Sequence, residues 1–599
     1  MFTSKAIAST PLFCKTAKLS KSDITEIKSP HLSKVNSNFM IKNFLLFVLV
    51  LLALTANSAF VRAQRDLGVR PTDSGGVLMP EQAAYDVKSY DLDVRPNIQE
   101  QSIKGVLTAE ALIVKPLDKF VLDLDRPFTV ESAMLVEGKK QTPLKFERRE
   151  GKIWIAFPKM EKAGKTVDVR VAYSGKPKVA PRPPWVGGFV WSKTADGSPW
   201  VATAVQNDGA DLWFPVKDHP SDKPETVSLH FTVPEPLVAA SNGKLQSIVK
   251  NADGTRTFNW FVSQPISNYC IALNIAPYKL VEDKVQSVSG MMIPIQFYVL
   301  PEDYDKGQSL VDLLKKYVAF YEEYLGPYPF RADKIGVAET PHLGMEHQTI
   351  TAYGNHFKYN ADGDDWLLFH EFGHEWWANL VTAKDWNDFW LHEGFQSFMD
   401  TFYVEKIKGK DAYFAAMKAR YRGLHNVKPV APREPQTTTQ IYMLPPDYTK
   451  SDGDIYGKGA LILNTLRFYL GDDAFFKALR RMAYPTPEME KITNGKQTRL
   501  ATTDEFLRIA EQQSGKKLDW FFEVYLRQPA LPKLVTETKP NQLVLRWETP
   551  NNLPFPMPIE VKIGGVTKLV EMPNGTVTIP LPQDAGYAVD PNGWILKAQ

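Results

Sequence analysis

The chain has 599 residues, of which 44% are hydrophobic and 23% charged. That is too long for one hydrophobic core, so about two to four domains are expected. A net charge of +3 is small for this length and argues against a nucleic-acid partner or a strongly anionic surface.

Residues 1–39 are Ser/Lys-rich and aperiodic, and read as a disordered leader or as sequence preceding a true start at Met40. A short basic region, Met40-Ile41-Lys42-Asn43, precedes the apolar run Phe44–Leu54 and the small residues ending in Val61-Arg62-Ala63. This predicts a signal peptide over 40–63, cleaved after Ala63, and a secreted or periplasmic protein. The uncharged stretch Asn43–Val61 leaves an uncleaved membrane anchor as the alternative. Residues 64–84 read as a linker. The chain has two cysteines, Cys14 in the leader and Cys270, and no C-x-x-C pattern, so neither a disulfide framework nor a thiolate metal site is expected.

From Tyr85 the period is two. Tyr90, Leu92 and Val94 alternate with Asp91 and Asp93, and Phe120–Leu124, Val167–Tyr173, Leu229–Val233, Phe258–Val262 and Ile271-Ala272-Leu273 read as further strands. The stretch 85–277 is predicted to be an all-β domain. After Pro277 the period lengthens to that of helices. Leu310–Leu325 is an amphipathic helix stopped by Gly326-Pro327, and Lys334–Val337, Met345 and Ile350 read as edge strands around a loop. Helices follow over Trp366–Trp377, from near Glu393 to Ile407, and from Tyr456 to Gly471. Thr502-Thr503-Asp504-Glu505 predicts a capping box, and Asp519 a cap for Trp520–Arg527. Residues 278–530 thus form a mixed domain. Beyond Leu531, the short strands Leu543–Trp547, Ile559–Ile563 and Thr576–Pro580 predict a small β-domain over 531–599.

Six of the ten histidines lie between His342 and His392. Among them His370-Glu371-Phe372-Gly373-His374 has the form H-E-x-x-H within apolar neighbours. On a helix the two imidazoles project from one face, one turn apart, where they can hold one Zn²⁺ with Glu371 beside it as general base. A catalytic zinc needs a third protein ligand and an open position for water. Glu393, separated from His374 by eighteen intervening residues, is the candidate. Asp400, seven residues further along the same helix face, is placed either to orient a ligating histidine or as a solvated helix aspartate.

These motifs resemble the aminopeptidase N family of zinc metallopeptidases. The resemblance rests on H-E-x-x-H, on Glu393 in Trp390-Leu391-His392-Glu393-Gly394-Phe395, and on Leu343-Gly344-Met345-Glu346-His347, which the family usually writes Gly-Ala-Met-Glu-Asn. Tyr456-Gly457-Lys458-Gly459-Ala460 is similar to its Tyr-x-Lys-Gly-Ala. By that match Glu346 binds the substrate's α-amino group with Gly344 and Met345 beside it, and Tyr456 donates a proton to the oxyanion. Gln206, in Thr203-Ala204-Val205-Gln206, is a second amine anchor. His347 and His392 stand where the family has Asn and are read as supporting or pocket-lining residues, not ligands. The resemblance implies a multidomain α+β chain: a saddle-like β-domain, a thermolysin-like α/β catalytic domain and a small terminal β-domain, without the large C-terminal helical domain of many members. It also implies one Zn²⁺ per chain and peptide substrates with a free N-terminus, hydrolysed by zinc-activated water. An epoxide hydrolase or a non-catalytic binding protein on the same scaffold is the alternative. An endopeptidase is disfavoured, because Glu346 would block the space upstream of the scissile bond.

Overall fold

The computed structural model describes residues 73–446, 448 and 450–599. The leader, the signal peptide over 40–63, Cys14 and the first part of the 64–84 linker lie outside the described residues. From residue 73 the linker stretch packs as a strap. Gly75 bridges Thr437, and the Gly76 N–H donates to the Gln436 carbonyl at 3.0 Å. No helix among the described residues is long and apolar enough to cross a membrane.

Alternating sequence between Tyr85 and Val262 folds into an eight-stranded sheet. Its inward residues, Tyr90, Leu92 and Val94 among them, are buried, while Asp91 and Asp93 face water. Tyr85–Asn97 lies in the middle, antiparallel to Ser102–Ile113 and parallel to Thr226–Pro234. A four-stranded sheet follows, in which Pro199–Ala204 pairs with Gly188–Lys193 and Asn274–Ala276. The strand expected over Ile271–Leu273 begins later, at Asn274. The Ala272 and Leu273 N–H groups donate instead to the side chains of Asn242 and Thr203, which removes them from any ladder.

The central part is a five-stranded sheet with helices against it. Its first two strands, Lys279–Gln286 and Met292–Val299, form a hairpin where the sequence suggested helical period. Ile335–Glu339 is an interior strand and not an edge, since it pairs with Met292–Val299 on one side and Thr351–Tyr353 on the other. The edges are Lys279–Gln286 and Gly344–Met345. The helices are α1 Gly307–Leu325, α2 Trp366–Gly373, α3 Trp390–Lys408, α4 Lys410–Ala419, α5 Thr438–Tyr442, α6 Gly457–Leu470, α7 Asp472–Ala483, α8 Thr503–Ser514 and α9 Asp519–Leu526. The capping box at α8 is half formed: Thr502 accepts the Glu505 N–H, but the Glu505 carboxylate pairs with Arg499. Asp519 is the first residue of α9 and makes no cap, because the Phe521 and Phe522 N–H groups that it would take donate to the Leu518 carbonyl, at 2.9 and 3.1 Å. Two three-stranded sheets lie between Lys533 and Val589.

Candidate active site

Helix α2 is set by its own first turn. Asp365 accepts the Leu367 and Leu368 N–H groups, each at 3.0 Å, and is itself held by Tyr353 Oη at 2.6 Å. The helix is shorter than its apolar run suggests. It ends at Gly373, His374 is its C-cap, and the backbone leaves helical geometry at Trp377 and Ala378. That break carries the Trp377 carbonyl to His374 Nδ1, at 2.7 Å. His370 Nδ1 bonds Asp400 Oδ2 at 2.9 Å, so Asp400 orients a histidine from α3. With both Nδ1 atoms engaged, both Nε2 atoms face the same space.

Glu393, in the first turn of α3, completes the set. The two Nε2 atoms are 3.3 Å apart, and Glu393 Oε2 lies 3.7 Å from that of His370 and 3.4 Å from that of His374. Ligands about 2.0–2.1 Å from a tetrahedral ion are separated by roughly 3.4 Å, so these three atoms fit Zn²⁺. Glu393 Oε2 is buried and has no hydrogen-bond partner. A buried carboxylate oxygen left so is costly unless a cation takes it. Burial works against charge on His374, but Glu393 and Glu346 outweigh it and raise His374 to about 9. The same group holds Glu393 well below the ordinary range despite its own burial. A second cluster, His425, Asp452 and Asp454, also brings three donors together. There Lys428 already sits 3.4 Å from Asp452, and two backbone N–H groups occupy Asp454.

Glu371 points at the edge strand. A Cβ on Gly344 would lie 2.7 Å from Glu371 Oε1 and 2.7 Å from Leu367 Cδ1, so glycine lets the strand backbone pass over the helix. Burial pushes Glu371 up to about 8, with Glu346 and Glu393 adding to it against the two imidazoles. A doubly charged ion at the three donors would reverse much of that shift.

Four further side chains, Glu346, Gln206, Tyr456 and Tyr442, close the site. Glu346, 3% exposed, accepts from Gln206 Nε2 and, at 2.9 Å, from Tyr269 Oη. Gln206 follows the strand Pro199–Ala204, so the amide and carboxylate of the two predicted amine anchors meet across the β-domain and the central part. Tyr456 caps α6 and donates to Glu393 Oε1 at 2.9 Å. Tyr442, from α5, lies 3.1 Å from Gln206 Oε1 and 3.2 Å from Glu393 Oε1. All the predicted site residues, Gly344 and Met345 included, line one cavity of about 300 Å³. His347 and His392 do not line it. His392 Nε2 accepts the Ala383 N–H at 2.8 Å, and burial lowers each histidine to about 3, so they remain neutral.

Tyr269, Tyr442, Trp185, Trp366 and Arg420 are site residues that sequence reasoning did not single out. Only Tyr442 carried a local signal. The capping box Thr437–Gln440 announces the short helix that presents it. Trp185 and Trp366, 49% and 55% exposed, stand at the rim of the cavity.

The model of the peptidase family M1 domain matches residues 309–525, and that of the peptidase M1 N-terminal domain matches residues 87–270. Among curated relatives, Tricorn protease-interacting factor F2 of Thermoplasma volcanium is 26% identical over 420 residues, covering 64% of this chain and 49% of that protein. Endoplasmic reticulum aminopeptidase 1 of Mus musculus is 25% identical over 438 residues, covering 68% and 45%. The chain spans about half the length of these relatives. An M1 zinc metallopeptidase variant of Deinococcus radiodurans, solved with a Tyr-Ser-Ala substrate, shares the fold with a TM-score of 0.60 at 24% identity, over 77% of this chain and 98% of that one.

Proposed function

The chain belongs to peptidase family M1, and from that premise we propose that it is a zinc aminopeptidase that releases the N-terminal residue of peptides. The observation that carries this reading is Glu346 beside the three metal donors, with Gln206 bonded to it. A carboxylate so placed pairs with a free ammonium and rejects a blocked N-terminus.

His370, His374 and Glu393 would hold the zinc, which when bound lowers the pKa of water and polarises a carbonyl. Glu346 and the Gln206 carbonyl receive the ammonium, so the first peptide carbonyl is fixed over the donors. Glu371 takes the proton of the attacking water and returns it to the leaving nitrogen. Tyr456 turns its hydroxyl from Glu393 to the oxyanion that develops. The rims, Trp185 and Trp366, give the substrate apolar walls. Export through the signal pattern over 40–63 belongs to the same reading.

Paired fluorogenic aminoacyl substrates, free and N-acetylated, test it with and without chelator. Only the free amines are expected to turn over, and only with metal. Equal cleavage of the acetylated partners would sink the assignment. Glu371→Gln is expected to abolish turnover while the protein retains zinc; loss of the metal would show that the role given to Glu371 is wrong.

A further inference from the structure

Arg420, the C-cap of α4, reaches back to α3 and enters the active-site cavity. Its Nε donates to Thr401 Oγ1 at 2.8 Å and its Nη2 to the Ser397 carbonyl at 2.6 Å. These bonds fix the plane of the guanidinium. Nη1 donates to none of the described residues, and it is not sealed from solvent. The nearest carboxylate, Asp400, is 3.7 Å from Nη2 and already accepts from His370 and Gln396. Burial lowers the Arg420 pKa, and Asp400 only partly offsets it. This is a rigid cation short of counter-charge, with an open N–H edge.

Its position relative to the metal donors is specific. Glu346 has Glu371, His374 and Glu393 among its charged neighbours, whereas Arg420 lies 3.7 Å from Asp400, which backs His370. The amine anchor and the guanidinium therefore approach the donors past different histidines. Ser397, to which Arg420 is tied, lies one helical turn beyond Glu393, about 6 Å along α3. One extended residue spans about 3.3–3.6 Å, so a carboxylate one or two residues beyond the scissile bond falls within this reach.

We propose that Arg420 binds the C-terminal carboxylate of the substrate, which makes unblocked di- and tripeptides the preferred substrate class. This rests on the aminopeptidase reading. The guanidinium fork forms charge-assisted hydrogen bonds with a carboxylate and much weaker ones with an amide or with continuing main chain. A longer peptide presents no anion at this point and has to pass the guanidinium towards the adjoining cavity of about 490 Å³, which shares Trp366, Asp400 and Arg420.

The test compares kcat/KM of the zinc-loaded protein for Ala-Ala and Ala-Ala-Ala with that for the same peptides amidated at the C-terminus. The acids are expected to be better by about tenfold or more, a difference of about 1.4 kcal/mol. Arg420→Gln is expected to collapse the acid-to-amide ratio towards one, and Arg420→Lys to keep part of it. A wild-type ratio near one overturns the inference and leaves the aminopeptidase reading intact. So does an Arg420→Gln enzyme that loses acid and amide turnover in equal proportion, the mark of a structural role. Should Arg420→Gln fail to fold, the wild-type ratio and Arg420→Lys still decide. Cleavage of N-acetylated peptides at the rate of free ones marks failure of the aminopeptidase reading instead.

Discussion

Gly394 on α3 and Gly459 on α6 are packed backbone to backbone: a Cβ on Gly459 would lie 2.8 Å from the Gly394 Cα. The contact sets how far Tyr456, three residues before Gly459, stands from Glu393, one residue before Gly394. Gly459→Ala is expected to wedge the helices apart and lengthen the 2.9 Å Tyr456–Glu393 contact. A fall in kcat of about 10–100-fold with full zinc content is the expected outcome, approaching the roughly 10²–10³-fold loss expected for Tyr456→Phe if its proton serves the oxyanion. Unchanged kcat in both variants would remove Tyr456 from the reaction.

Asp400 tests the metal reading from outside the donor set. It fixes His370 through Nδ1. Asp400→Ala is expected to weaken zinc binding about 10–100-fold in a competition with a chromophoric chelator. Affinity equal to wild type would mean that the histidine is held by packing alone.

Glu346→Ala should raise KM for free-amine substrates and erase most of the preference over N-acetylated ones. Gln206→Ala is expected to do the same to a smaller degree, because Tyr269 still supports Glu346. If Glu346→Ala discriminates against acetylated substrates as strongly as wild type, the amine anchor lies elsewhere.

A pH effect is expected far from the chemistry. Asp218 is half-buried beside Asp123 and Asp211, and desolvation first, then Asp123, pushes it up to about 7. Asp211 has both oxygens buried without partners, and burial and Asp218 raise it as well. Between about pH 4 and 7 the folded protein holds a proton at Asp218 that the unfolded chain has lost, so this group's contribution to stability falls as pH rises through that window. Asp218→Asn imitates the protonated acid. Its stability should match wild type at or below about pH 4 and exceed it increasingly up to about pH 7–8, by at most about 4 kcal/mol for a shift from 3.8 to about 7 at about 1.4 kcal/mol per pK unit. A variant less stable than wild type at pH 8 would contradict this.

The sequence made the metal set legible because helix geometry alone brings His370 and His374 together. Glu393 was legible because a fixed gap carries the chain into the next helix. The β-part was legible where alternation is strict, as at Tyr90–Val94. Legibility failed where side chains replace the ladder, as at Ile271–Leu273, and where a hairpin is too short to show its period against the helices that follow, as at Lys279–Val299. It also failed for α4 and α7, and for residues such as Tyr269 and Arg420. Their roles come from which distant groups they meet, not from any local pattern.

The Tyr442 hydroxyl stands between Gln206 and Glu393 with a single proton for two acceptors. Donating to Glu393 leaves Gln206 Oε1 short of a donor, whereas Glu393 Oε1 keeps the Tyr456 hydroxyl when Tyr442 turns to Gln206. On the aminopeptidase reading, an incoming ammonium would bring its N–H groups to Gln206 and Glu346, and so release the Tyr442 proton towards Glu393. A peptide's amino group would thereby be registered at Glu393 before any bond is broken. A site so built would tell an occupied amine anchor from an empty one through the orientation of one hydroxyl.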